Sequence, residues 1–150
     1  MVHDSPSRRP AGGFSLIELV CAIAIAAILS LVAYPAYSHA VQRARRCDAQ
    51  VALLKLQMAE ERHRANHTRY GSLAEVGVAS RTGEGHYTLT MPSYDETGYE
   101  VVATAGGAQS ADGDCRYMKL AVRAFNSIYA SGPDMSVANS DAANRRCWGR

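Results

Sequence analysis

At 150 residues the chain has room for one modest domain. Its 16 basic and 14 acidic residues nearly cancel, which excludes a general polyanion binder and leaves any nucleic-acid contact to a local patch. The apolar residues are unevenly spread, with one block at the front and a mixed, polar remainder. That layout is the one expected of a membrane-anchored domain.

The first thirteen residues, MVHDSPSRRPAGG, are hydrophilic and basic at Arg8 and Arg9. An apolar run follows, in which Glu18 is the only charged residue from Phe14 to Tyr34. A secretory signal peptide has its apolar core ahead of a small-residue cleavage site. Here the candidate break, Gly13–Phe14, precedes the run, so the run survives processing. Removing Met1–Gly13 takes away Arg8, Arg9 and Asp4 and leaves 14 basic and 13 acidic residues. Spanning a bilayer takes about 20 apolar residues at about 1.5 Å rise each, and residues 14–35 suffice. Arg8 and Arg9 favour a cytoplasmic N-terminus, but Arg43, Arg45 and Arg46 follow on the other side, so charge alone leaves the orientation open.

Glu18 is the informative residue of this segment. A carboxylate in hydrocarbon costs roughly 2.5–3.5 kcal/mol on insertion scales, so it needs a partner. Cleavage after Gly13 creates an α-amine on Phe14, one helical turn away. The amine of the same chain or of a neighbour meets the need, and a neighbour's would set register during assembly. The plainer reading is a glutamate snorkelling near a helix end.

The stretch Gly13-Phe14-Ser15-Leu16-Ile17-Glu18-Leu19, with a basic leader before it and an apolar run after it, resembles the processing motif of the type IV pilin superfamily. The resemblance implies that a dedicated prepilin peptidase cuts after Gly13 and methylates Phe14. It matches Glu18 to the assembly glutamate, and Pro35 to the proline that lets the helix bend or locally melt in filaments. It implies other pilin subunits and the inner-membrane pilus assembly machinery as partners. The subunit would sit in the inner membrane before assembly and in the extracellular pilus, or fimbrium, afterwards.

From Ala36 to about Asn66 the pattern is helical. Val41, Ala44, Val51, Leu54 and Met58 recur at threes, fours and sevens, which predicts an amphipathic helix with that stripe on a sheet. Joined to the apolar run it makes a helix of about 50 residues, roughly 80 Å long, kinked at Pro35. A loop follows to Arg81, with a short helical turn near Leu73–Val76. Strands are predicted at 86–91, 99–105 and 116–123, bounded by Gly, Pro, Asp or Ser. Short links between them imply an antiparallel meander, and the chain after Asn126 reads as a loop-rich tail. The predicted fold is α+β: a long kinked N-terminal helix packed on a small antiparallel sheet. Its parts are a leader (1–13), a transmembrane or filament-core helix (14–35) and a periplasmic or extracellular head (36–150).

There are four cysteines. The separation of Cys115 and Cys147 suits a disulfide closing a C-terminal loop, worth roughly 3–4 kcal/mol in the chain-entropy model. Such a bond favours an exported head, and metal ligation by the pair lacks partners at short spacing. Cys47 reads as a free thiol or a small helix residue.

Further residues resemble a minor pilin group, the PilE type: Arg46-Cys47-Asp48-Ala49, Glu60-Glu61-Arg62, Thr68-Arg69-Tyr70, Gln109-Ser110-Ala111-Asp112 and Cys147-Trp148. Cys47 departs from it, since a small polar residue is expected there.

No catalytic constellation stands out, so the chain reads as a non-enzyme without a cofactor. His63 and His67 have metal-ligand spacing but no third ligand. Asp112-Gly113-Asp114 lacks the later glutamate of a calcium loop and reads as a turn. Asn66-His67-Thr68 matches the glycosylation sequon, a pattern common by chance. Arginines load the helix and the tail, and Arg145 and Arg146 are the candidate DNA contacts. The expected function is a structural, minor subunit of a type IV pilus supporting pilus biogenesis, adhesion or twitching. The alternatives are a DNA-binding competence pilin and a type II secretion pseudopilin, the latter disfavoured by the cysteine pair.

Overall fold

The computed structural model describes residues 13–134 and 141–149. Residues 1–12, which carry the predicted leader with Arg8 and Arg9, lie outside that range. The chain divides into two compact units between Ser38 and His39. Helix α1 runs from Leu16 to Arg64 and is α-helical through Pro35. Up to Ser38 it is the only element among the described residues of the first unit.

The second unit holds the rest of α1 and a four-stranded sheet. Its strands are β1 (Tyr87–Tyr94), β2 (Gly98–Ala105), β3 (Tyr117–Arg123) and β4 (Asn126–Gly132). They pair antiparallel in the order β1-β2-β3-β4. Two short 3-10 turns, Gly107–Ala111 and Gly113–Cys115, fill the link between β2 and β3. A second helix, α2 (Asp141–Trp148), follows β4. Residues 73–77 form turns, and the Val76 amide donates to the Ser72 carbonyl at 3.0 Å, the bond of a single helical turn where one is predicted.

One sheet face makes the core. Tyr87 and Leu89 of β1, Tyr99, Val101 and Ala103 of β2, and Met118, Leu120 and Val122 of β3 alternate inward with the period of two that a strand imposes. They close on Ala49, Leu53 and Leu56 of α1. The predicted helix stripe is therefore corrected. Val51, Leu54 and Met58 are about half exposed, and the stripe on the sheet is Ala49, Leu53, Leu56 and Glu60. At roughly 100° per residue the two stripes lie on opposite faces. The charged Glu60 disguised the inward one.

The predicted loop-rich tail is corrected as well, because β4 and α2 lie there. Asn144 donates from Nδ2 to the Tyr129 carbonyl at 2.9 Å, and Trp148 from Nε1 to the Ala130 carbonyl at 3.2 Å. The two carbonyls belong to successive residues and point to opposite sides of the strand, so one of them lies on the outer edge of β4, where the bond from α2 occupies an acceptor that would otherwise invite another strand. At the opposite edge, Pro92 sits within a register irregularity between Thr90 and Ser93, where its missing N–H disturbs no ladder. Between β2 and β3, a Cβ on Gly98 would collide with the Val122 carbonyl oxygen, so only glycine fits.

Residues 65–86 are tied to α1 by two carboxylates. Asp48 accepts from the Thr82 hydroxyl at 2.5 Å and from the amides of Glu84 and His86 at 3.1 Å. Burial pushes its pKa up, but these three donors outweigh that and hold it below the usual range. Glu60 is fully buried. Its Oε2 accepts from the Gly71 amide at 2.9 Å, while its Oε1 and the buried Tyr99 hydroxyl have no partner. Burial raises the Glu60 pKa, the Gly71 amide opposes this, and Glu75 and Glu61 add to the rise.

The β3–β4 connection is a two-residue turn, with Arg123 paired to Asn126. Both of its residues take left-handed backbone, Ala124 at φ 46° and Phe125 at φ 67°. Two positive φ values define the hairpin turn that Asn-Gly normally fills. Alanine and phenylalanine each strain it by roughly 1–2 kcal/mol.

Two predictions follow from these features. Phe125→Gly relaxes the turn and raises stability in chemical denaturation by about 1 kcal/mol, net of glycine's cost in the unfolded chain. Glu60 favours folding in its neutral form, so its contribution is complete below the unfolded pKa of about 4.3 and is lost as pH rises through the higher folded value. Glu60→Gln should therefore melt higher than wild type near neutral pH, and the gap should close towards pH 4. An equal gap at both pH values would mean that ionisation of Glu60 plays no part.

Candidate functional site

Two regions carry the residues that the sequence singles out, and they belong to different units. The first is the start of α1. Gly13 is exposed, and a Cβ there would meet nothing within 4 Å, so its glycine has no packing reason in the folded chain. Phe14 is 83% exposed. The helix begins at Leu16, with the Leu19 amide bonded to the Ser15 carbonyl at 3.1 Å. Glu18 lies in the first turn, where the positive end of the helix dipole favours an acid.

Beyond Glu18 the segment is apolar on every side. Leu19, Ile23, Ile28, Leu31 and Val32 all point outward and are more than half exposed. An 18-residue window of this helix has mean hydropathy 2.7, with none of it buried by the rest of the chain. Such a surface is covered only by lipid or by other apolar helices. Ser30 returns its hydroxyl to the Ala26 carbonyl at 2.7 Å, so even this polar side chain presents little to a lipid. Pro35 has no N–H to give the carbonyl one turn before it, which removes one rung of the helix. The Ser38 hydroxyl bonds the Pro35 carbonyl at 2.9 Å.

The second region is the end of the head where the C-terminal residues meet α1. Cys115 is bonded to Cys147 across a separation of 32 residues. Arg46 of α1 grips Asp112 through two bonds, 2.7 Å from Nε and 2.8 Å from Nη2. Its remaining nitrogen donates to the Arg146 carbonyl at 2.8 Å. The hydrogen bond to Asp112 raises the arginine's pKa against the opposing effect of burial. Gln50 donates to the Cys147 carbonyl at 2.6 Å. The Gln109 amide nitrogen is shared among the Gln42 carbonyl, the Tyr87 hydroxyl and Asp112. The Tyr87 hydroxyl donates onward to the Cys115 carbonyl at 3.3 Å. Burial pushes this phenol up to about 12.

One face of α1, from Gln42 to Gln50, thus holds both the β2–β3 link and α2 at fixed positions. Asp112 is the core of that clamp and not a free cation ligand. Arg145 and Arg146 ride on α2 and differ in what holds them. Arg146 pairs with Asp114 at 2.9 Å, with both side chains more than half exposed. Arg145 is exposed and has no ion pair among the described residues.

The remaining sequence candidates resolve simply. The His63 and His67 rings stack, with centroids 3.9 Å apart and planes 9° from parallel. His67 Nδ1 donates to the His63 carbonyl at 2.9 Å, so that nitrogen is occupied. Cys47 is a free, exposed thiol. Sequence reasoning missed the Arg46–Asp112 clamp, whose partners lie 66 residues apart. The only available signal was that both residues fall in segments resembling one pilin group.

Comparison with known families agrees with this arrangement. A family model described as type IV minor pilin ComP, DNA uptake sequence receptor, matches residues 35–119, more than half of the chain. A model of the prokaryotic N-terminal methylation motif matches residues 8–34. No curated protein matches. The exposed apolar helix, the methylation motif and the matched head together place the chain in the family of type IV minor pilins described as ComP, as a structural subunit of a type IV pilus.

Proposed function

We propose that the chain enters the pilus by the route its N-terminus encodes. A prepilin peptidase removes residues 1–13 and methylates Phe14. Residues 14–35 hold the subunit in the inner membrane, and residues 36–150 form the exported head. The assembly machinery then draws the apolar helix out of lipid and into the filament core, with the Phe14 amine of one subunit facing Glu18 of another. The observation that carries this reading is an apolar helical segment with none of its surface buried by its own chain, interrupted only by a carboxylate in its first turn. Exchanging lipid for neighbouring helices costs little, because both are apolar. The charge pair then decides register. The role is structural, with no catalytic step and no cofactor, and it supports pilus biogenesis, adhesion or twitching. Within the minor pilins, the PilE-type resemblance is supported by the use this fold makes of Arg46, Asp48, Glu60, Gln109 and Asp112.

Glu18→Ala should leave cleavage at Gly13–Phe14 intact, yet lower the amount recovered in sheared filaments by about tenfold, the effect of losing about 1.4 kcal/mol. Normal recovery of that variant would exclude the charge pair.

A second reading, DNA capture, is favoured by one observation: the matching family model is described as a DNA uptake sequence receptor. Arg145, exposed on α2, and Arg146, in an exposed pair with Asp114, are the phosphate contacts this reading assigns. Each phosphate contact contributes about 0.9 to the slope of log K against log salt. Replacing both arginines by alanine in the full chain should therefore weaken duplex binding and flatten that slope by about 2. An unchanged slope would remove these two residues from any DNA contact.

A further inference from the structure

Between α1 and residues 75–84 of the head lies an open groove of about 980 Å³. Its floor is apolar, built largely from Ala44, Cys47, Val51, Ala52, Val78 and Leu89. Val51 is half exposed and belongs to the outward helix stripe, so the groove extends a face that the described residues leave open. An apolar floor with a charged rim is the layout of a protein interface.

The rim has a definite sign. Lys55 and Arg62 line the α1 wall, and Arg81 lines the other. Lys55 and Arg62 are seven residues apart, so they share one side of the helix about 10 Å apart along its axis. None of the three has an ion pair among the described residues. Arg62 bonds only the Met58 carbonyl of its own helix, through Nε at 3.2 Å. Arg81 reaches the Gly85 carbonyl at 3.4 Å. The acids of the rim, in contrast, are engaged. Asp48 accepts from Thr82, Glu84 and His86. Glu75 accepts from Arg69 at 2.6 Å and from the Ser72 amide at 2.7 Å. Glu84 lies 3.5 Å from the His86 ring. The charges left to offer a partner are therefore positive.

We propose that this groove seats an acidic segment of the main pilus subunit. Apolar side chains of that segment lie on the floor, and carboxylates about 10 Å apart reach Lys55 and Arg62. The proposal rests on the reading of the chain as a filament subunit. A minor pilin is flanked in the filament by the main subunit and not by its own copies. A nucleic acid fits the groove less well, because its phosphates would meet an apolar floor and the exposed Glu84. The cations act mainly on orientation and choice of partner, since exposed charge selects more than it binds.

The test uses the full chain in piliated cells. A photoreactive phenylalanine analogue in place of Val51 should cross-link to the main subunit, at a peptide that carries at least two carboxylates. Lys55→Glu combined with Arg62→Glu should lower that yield about tenfold, because like charges then face each other. Both side chains are exposed and tie no other element, so the double variant should melt as wild type does. Lys55→Arg combined with Arg62→Lys should keep the cross-link. Lysines in place of the mapped carboxylates of the main subunit should restore it to the reversed variant, which separates a contact role from a folding role. Cross-linking to DNA, to a second copy or only within one chain would overturn the proposal. So would an unchanged yield after charge reversal. Absence of the wild-type chain from sheared filaments, with the cross-link still formed in the membrane, would instead overturn the filament reading and leave the groove contact standing.

Discussion

The apolar side chains between Leu16 and Tyr34 must be covered, and the described residues bury none of them. That single constraint organises the rest. A helix in such a state is stable in lipid or in a bundle of equivalent helices, and a filament subunit occupies both in turn. Because the two environments are equally apolar, hydrophobic energy does not choose between them. The choice falls to the few polar features of the segment: Glu18 in the first turn, the Phe14 amine that the proposed cleavage would expose, and Pro35, which costs the helix one rung.

The head has a different task, since it must hold its shape in water while its own helix continues into an apolar segment. The structure meets it by using α1 from Gln42 to Glu60 as a rail. Arg46, Gln50 and the Gln42 carbonyl fix the disulfide-closed C-terminal end, while Asp48 and Glu60 fix the residues before the sheet. These ties are part-buried or buried and engage backbone groups as well as side chains, so water screens them less than exposed ion pairs such as Arg146–Asp114. Glu60 is the exception in which a tie carries a penalty, because one of its oxygens is buried without a donor.

What the sequence made legible follows from how each feature is encoded. The apolar run and the methylation motif at its start are local signals, and they were readable. So were the strands at 99–105 and 116–123, short runs rich in Val, Tyr and other apolar residues between turn signals. Strand β4 was not. Its sequence, NSIYASG, is built of small and polar residues, and it is held by β3 and α2, not by its own propensity. The helix face was misread because the more apolar stripe, Val51–Leu54–Met58, points away from the sheet, while a glutamate lies in the buried one. The Arg46–Asp112 clamp joins residues far apart in the chain, and no spacing rule reaches that distance.

That misread face has its own meaning. A soluble, self-contained domain would turn its better apolar stripe inward, whereas a subunit keeps it for neighbours. The apolar start of α1 and the outward stripe are both faces that the described residues leave open. The most direct measurement of this account is mass spectrometry of filaments sheared from the cell surface. The account predicts a peptide from this chain that begins at methylated Phe14, present at a low ratio to the main subunit. Its absence from filaments, with the processed chain still in the membrane, would contradict the account.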